Sequence, residues 1–320
     1  MKDPWLRKDL ERVDPVTDSG GLPGSLLDAI EADGGLWSAS DAYTDAERVV
    51  ERAREVGAVA LRLDFRDLSL LQHMPATRYL HLRSDGMPRL DPVSTLSGLR
   101  ALIVETSALR GEWDPFSFPD LRWLRLSLGG KGGKAVQESL ERGHPRLEHL
   151  SLTEVPSRML GELIGAFPRL RHARVHFADR LRTLGPLGSV AATLRGLDLD
   201  ITAIRSLEGI EVLQGLRALR VHGGRVTDLG PLRALTGLRF AHLDTGVGIA
   251  SLEPLRDHPS LRILAISLIQ DGDLAPLTTM PQLAAVGRGP RLVGEPPLPD
   301  LWALAREDPL RREWHRAMRG

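Results

Sequence analysis

The chain has 320 residues, 42 basic and 42 acidic side chains and a formal net charge of zero. Balanced charge leaves no global field to draw in nucleic acid or an anionic membrane. Cysteine is absent, which excludes disulfides, thiolate metal sites and a cysteine nucleophile, and asparagine is absent, which excludes N-glycosylation.

In chain order, residues 1 to 55 carry no repeat and read as an N-terminal helical cap. Ser25 to Ile30 is a short helix ended by Gly34-Gly35, and Thr44-Asp45 opens a second helix with Val49, Val50, Ala53 and Val56 on one face. The charged start after Met1 is not a secretory signal, and no apolar run approaches the ~18 residues of a membrane span. A soluble cytoplasmic protein is expected. The first strand is expected near Val59 to Leu63, alternating with period two, and further strands at Leu80 to Leu82 and Leu102 to Val104.

From there a Leu-x-x-Leu-x-Leu phrase returns about every 22 residues, as at Leu121/Leu124/Leu126, Leu147/Leu150/Leu152, Leu194/Leu197/Leu199, Leu216/Leu219/Val221 and Leu261/Leu264/Ile266. Such a period means a solenoid of stacked repeats, about ten to eleven over residues 56–290. After each strand, leucines three apart, as in Leu229/Leu232/Leu235/Leu238, fit 3₁₀ turns, also expected at 206–216, 251–255 and 273–277. Ala135 to Gly143 and Ser157 to Phe167 are long enough for α-helices. Beyond about 290 the repeat fades, and helices starting at Asp300 and Asp308-Pro309, with Leu310, Trp314 and Met318 on one face, read as a C-terminal cap over 291–320.

The repeats, and above all the Asp-Leu-x-Pro-Leu-x-x-Leu-x-x-Leu phrase at 227–238 and 272–283, resemble those of leucine-rich repeat proteins, most closely the 22-residue subclass of internalins and of the regulatory subunit of protein phosphatase 1. The resemblance implies an α/β fold: a right-handed solenoid with a parallel β-sheet on the concave face, 3₁₀ and short α segments on the convex face, and a cap at each end. It implies protein binding on the concave strands. The chain departs from the family where Asn or Cys ties the turn: it has Asp85, Ser107, Gly129, Val155, Ala178, Thr202, Gly224, Gly246 and Ile269 there. The turn amides must find other partners.

Side chains between the leucines are expected to face outward. On the later strands they are Arg174 and His176, Asp198 and Asp200, Arg220 and His222, His242 and Asp244. Alternation of Arg or His with Asp on neighbouring strands is a cross-strand ion ladder or a protein-binding patch. The sharper alternative is a metal or acid/base group centred on Asp198, Asp200, His222 and Asp244. Tyr79, Trp123 and Phe240, with His81, His149 and His172, are the expected exposed rings, and Trp123 beside Tyr79 and Arg125 is the first binding patch to test. An arginine column, Arg78, Arg100, Arg122, Arg171, Arg195, Arg217, Arg239 and Arg262, interrupted by Glu148, reads at zero net charge as a polar residue at each strand entry neutralised by neighbouring acids; the alternative is a basic rim that suits an acidic protein segment or a nucleic-acid backbone. Gly129 to Lys134 is glycine-rich but misses the phosphate-loop spacing. The expectation is a non-enzymatic adaptor or regulatory subunit with a protein partner, no cofactor, no metal and no membrane.

Overall fold

The computed structural model describes residues 11–13, 24–40, 45–84, 89–106, 114–127, 133–155, 157–266 and 268–288. The expected C-terminal helices, most of the glycine-rich run and positions 85, 107 and 129 lie outside these residues. The chain divides into two units, Met1–Leu147 and Glu148–Gly320.

In the first unit, β2 (Leu36–Ser40), β3 (Ala60–Asp64), β4 (Tyr79–Ser84), β5 (Ala101–Thr106) and β6 (Trp123–Ser127) lie side by side in chain order. All pair in parallel. The register puts Leu61, Leu80, Leu102 and Leu124 in one row, and all four are buried. Between strands the chain turns through 3₁₀ segments at Ser69–His73, Asp91–Thr95 and Pro115–Ser117. Two strands precede the first one expected: β1 (Glu11–Val13) pairs antiparallel with β2 and takes up its free edge. The sequence hid them because three- and five-residue strands outside the repeat have no period to announce them.

Two N-terminal helices form where expected, α1 (Gly24–Ala32) and α2 (Ala46–Val56). Asp45 caps α2 by accepting from the Arg48 amide at 2.9 Å, and Gly57 closes it at φ 63°. Val49, Val50 and Ala53 form its buried face.

In the second unit, β7 (His149–Thr153), β8 (His172–His176), β9 (Gly196–Thr202), β10 (Ala218–Gly223), β11 (Phe240–Asp244), β12 (Ile263–Ile266) and β13 (Ala285–Arg288) follow the same plan, parallel and in chain order. Strands β3 to β13 are the eleven that the repeat count anticipates. The leucines three apart form 3₁₀ turns at Ile210–Val212, Gly230–Ala234 and Glu253–Leu255. The phrase at 273–277 departs and forms a short α-helix, α5 (Ala275–Thr279). The longer segments give α3 (Gly133–Arg142) in the first unit and α4 (Leu160–Ile164) in the second; α4 is shorter than expected.

The missing Asn and Cys of the turns are replaced by backbone. Ala178 bridges Thr202, and Ile249 bridges Ile269, each in parallel. The Ala203 amide donates to the Leu181 carbonyl at 3.0 Å, and the Arg225 amide to the Ile204 carbonyl at 2.7 Å. A second link was not foreseen. His144 and His258, each followed by proline, are buried, and each accepts at Nδ1 from a backbone amide, Arg146 and Leu261 respectively, at 3.2 Å. The cue in the sequence is the recurrence of His-Pro-x-Leu, with the histidine three residues before the leucine that starts a repeat, as at 144–147 and 258–261.

Candidate functional site

The outer face of the strands carries three columns of side chains, in register from strand to strand. The first unit does not leave this face open. Helix α1 folds back from β2, after positive-φ glycines at 34 and 35, and lies on the outer side of the sheet. Leu26, Ile30 and Leu36 pack with Ala60, Tyr79, Ala101 and Ile103, and Trp123 packs against the edge of this cluster. Nine helical residues span about 13.5 Å at ~1.5 Å per residue, enough to cross three strands ~4.8 Å apart. Small residues at 60 and 101 make the room.

Four expected binding residues therefore have another role. Tyr79 is 3% exposed, and its hydroxyl donates to Asp33 at 2.8 Å. His81 is also 3% exposed and lines the small cleft under α1. Its Nε2 lies 3.1 Å from Glu105, and burial pushes its pKa down. Trp123 is half-buried against the α1 cluster. Arg125 reaches Glu105 at 3.1 Å. Burial alone would raise the Glu105 carboxyl, but His81 and Arg125 outweigh it and hold the pKa at about 2. The Trp123/Tyr79/Arg125 patch is thus core and ion pair, not a free ring surface. A chain that supplies its own apolar cover cannot be told by period alone from one that leaves the face bare.

The second unit keeps charged groups within reach of solvent. Arg174, Asp198 and Arg220 sit opposite one another on β8, β9 and β10, and Asp198 lies 3.3 Å from each arginine. One step along the strands, Asp200 is held between His176 and His222; His222 Nδ1 is 2.5 Å away. His222 Nε2 then lies 3.5 Å from Asp244 on β11. Burial raises the Asp198 carboxyl despite its arginines. Burial also favours neutral Asp200, but the His222 hydrogen bond and the Arg220 charge prevail, and its pKa falls. Burial lowers the His176 pKa against the pull of Asp200. This is the ion ladder of the sequence reading.

The metal or acid/base alternative fits less well. Among the described residues no three His or acidic side chains are grouped so that they could hold a metal ion. Asp200 is only 4% exposed, and both ring nitrogens of His222 are directed at carboxylates. Arg220, His222, His242 and Asp244 remain partly exposed, as do Arg174, His176 and Asp198. Besides Asp200, two expected residues of this unit are buried instead. Phe240 is 1% exposed and lies in register with Ala218 and Ile263, which are also buried, an apolar row on the outer side. His149 is 8% exposed, its ring 4.3 Å from that of His172; burial holds its pKa well below the usual histidine value.

The arginine column is real in register. The carbonyls of Arg171, Arg195, Arg217 and Arg239 each accept from the amide of the next arginine at 2.8–2.9 Å. In the first unit Arg78 and Arg100 are joined the same way.

No family model and no curated protein matches this chain. Solved structures do. An internalin of Listeria monocytogenes superposes with a TM-score of 0.52 at 14% identity, covering 81% of this chain and 74% of its own. The functional domain of InlJ from the same organism, which includes a cysteine ladder, gives 0.50 at 16% identity over 71% of this chain and 48% of its own. At such identities the likeness is one of fold: parallel strands in a leucine-rich repeat arrangement. The cysteine ladder of InlJ has no counterpart in a chain without cysteine. No helix among the described residues is long and apolar enough to cross a membrane.

Proposed function

We propose that this protein is a non-enzymatic interaction module, an adaptor or regulatory subunit of the 22-residue repeat subclass, that binds a protein partner on the outer strand face of its second unit. The observation that carries this reading is the row of partly exposed, mutually paired charges formed by Arg174, His176, Asp198, Arg220, His222 and Asp244. Cross-strand pairing fixes these side chains in place, so a complementary surface binds with little further loss of side-chain freedom. Charged faces of this kind set specificity and association rate more than raw affinity. A cytoplasmic setting agrees with the absence of cysteine.

His222 and Asp244 are the residues to change, since both side chains are about two-fifths exposed. Affinity capture from the native host, read by quantitative mass spectrometry, should return a defined partner with the wild-type chain. His222→Ala with Asp244→Ala should lower its recovery about tenfold or more, the effect of losing ~1.4 kcal/mol of binding, in a variant that stays folded although losing the His222 bond to buried Asp200 lowers its melting temperature. Equal recovery by both proteins would retire this face as the binding surface.

A further inference from the structure

The arginine column differs between the two units in what it meets. In the first, Asp33, just after α1, lies 3.8 Å from Arg78 and 3.9 Å from Arg100 while accepting from the Tyr79 hydroxyl. An acidic residue of a short helical segment thus sits on two stacked arginines, with the apolar side chains of that segment on the neighbouring column. In the second unit Arg171, Arg195, Arg217, Arg239 and Arg262 occupy the same repeat position, joined by the same backbone bonds. All five are exposed or half-exposed, and among the described residues no carboxylate pairs with them. Arg195 spends one guanidinium nitrogen on the carbonyls of Ala192, Leu194 and Gly215. We infer that this row is a docking edge for an acidic segment of a partner protein, seated as Asp33 is seated on Arg78 and Arg100. The inference rests on the protein-binding reading above and adds the chemistry of the partner.

Three considerations carry it. Five like charges on adjacent strands oppose one another, a cost that a bound anion removes. The repulsion registers at Arg217, whose pKa is lowered first by burial and then by Arg239 and Arg195 on either side. The spacing also selects a ligand. Stacked arginines repeat every ~4.8 Å, so five span about 19 Å. Acidic side chains three and four apart on a helix recur every ~4.5–6 Å along its axis and match this step. A phosphate chain fits less well. Asp198 lies three residues along the strand from Arg195, with Asp200 and Asp244 beyond, and a net charge of zero gives no long-range attraction for a polyanion. A composition rich in arginine explains many of these residues singly, but it does not explain their alignment.

The test uses the full chain and two probes, an oligo-glutamate of about fifteen residues and a deoxythymidine oligonucleotide of similar length, titrated at low salt. The wild type should bind oligo-glutamate, more tightly than the oligonucleotide, with affinity falling as salt rises. Arg217→Glu with Arg239→Glu should weaken oligo-glutamate binding tenfold or more. Arg182→Glu with Arg225→Glu, which removes equal charge from exposed positions outside the row, should change it less than about twofold, little beside the 1.4 kcal/mol of a tenfold effect. Should the glutamates disturb folding, Arg217→Gln with Arg239→Gln serves in their place, with the same loss expected. No binding by the wild type, equal loss in the off-row pair, or tighter binding of the oligonucleotide overturns the proposal. Loss confined to this edge while the His222/Asp244 variant still captures its partner normally would leave the edge standing and the strand face refuted; the reverse pattern separates the two the other way.

Discussion

Gly224 stands at the turn position where relatives of this fold carry a side chain that ties the backbone, and here the backbone ties itself. It adopts φ +77°, and a Cβ on it would lie 2.8 Å from the Ile204 carbonyl oxygen. That carbonyl already accepts from the Arg225 amide, so it cannot move aside without breaking the rung-to-rung link. Gly246, one repeat later, is different: its φ is not positive, and a Cβ would meet the Gly224 carbonyl oxygen at 3.6 Å, ordinary contact. Gly224→Ala should therefore cost about 1–3 kcal/mol, while Gly246→Ala should cost less than about 1 kcal/mol and can gain from a stiffer unfolded chain. Urea unfolding of the two variants checks the contrast, and equal midpoints would remove the steric account. At this scale the sequence was legible for the leucines, whose period names their side of the sheet. It was not legible for Tyr79, His81 and Phe240, because period two says which face a residue is on and not whether something covers that face.

Helix α1 is where element and function meet. Its location on the outer strand face, rather than against the end of the coil, turns an expected docking surface into core. Two leucines and an isoleucine meet two alanines, a tyrosine and an isoleucine, and one acid closes the arrangement through Tyr79, Arg78 and Arg100. Burying a Leu or Ile side chain is worth about 1.5–3 kcal/mol, so among the described residues a few such contacts hold the helix. Ile30→Ala should cost about 2–4 kcal/mol. Hydrogen exchange should then speed up across residues 24–40 and on β4, while β8 to β12 in the second unit keep their protection. Uniform acceleration would show that α1 is not a separable element. The existence of α1 was readable from its short apolar run and the glycines after it. Its destination was not, since Leu26 and Ile30 are equally suited to an end cap or to the face of β3 to β5.

Across the whole molecule, buried and half-buried histidines set the response to acid. Burial lowers the pKa of His81, His144, His149, His176 and His258. An unfolded chain takes up protons at these rings near pH 6.5, and the folded one refuses them until lower pH. Their contribution is therefore complete above about pH 6.5 and is lost as pH falls, by at most ~1.4 kcal/mol per histidine per pH unit. Glu105 acts lower. Its folded pKa of about 2 against 4.5 gives stability that is present above 4.5 and lost on the way to 2. The urea midpoint should drop between pH 7.5 and 5.5, above the range in which ordinary carboxylates titrate; a flat profile there would mean that the histidines are not held neutral. The repeat, the strand count and the ion ladder were all legible in the sequence because each is a matter of period. The N-terminal strands, the cover provided by α1 and the His-Pro links were not, because each occurs outside the period or depends on contacts between distant residues.

The proposed function requires that the partly exposed strand face of residues 172–244 recognise another protein. Its most direct measurement is the dissociation constant of the captured partner, purified, for the wild-type chain and for the His222→Ala, Asp244→Ala variant under one salt condition. The expected result is an affinity about tenfold lower or worse, a loss of ~1.4 kcal/mol, in a variant that remains folded at the temperature of the measurement. The same dissociation constant in both proteins would contradict it.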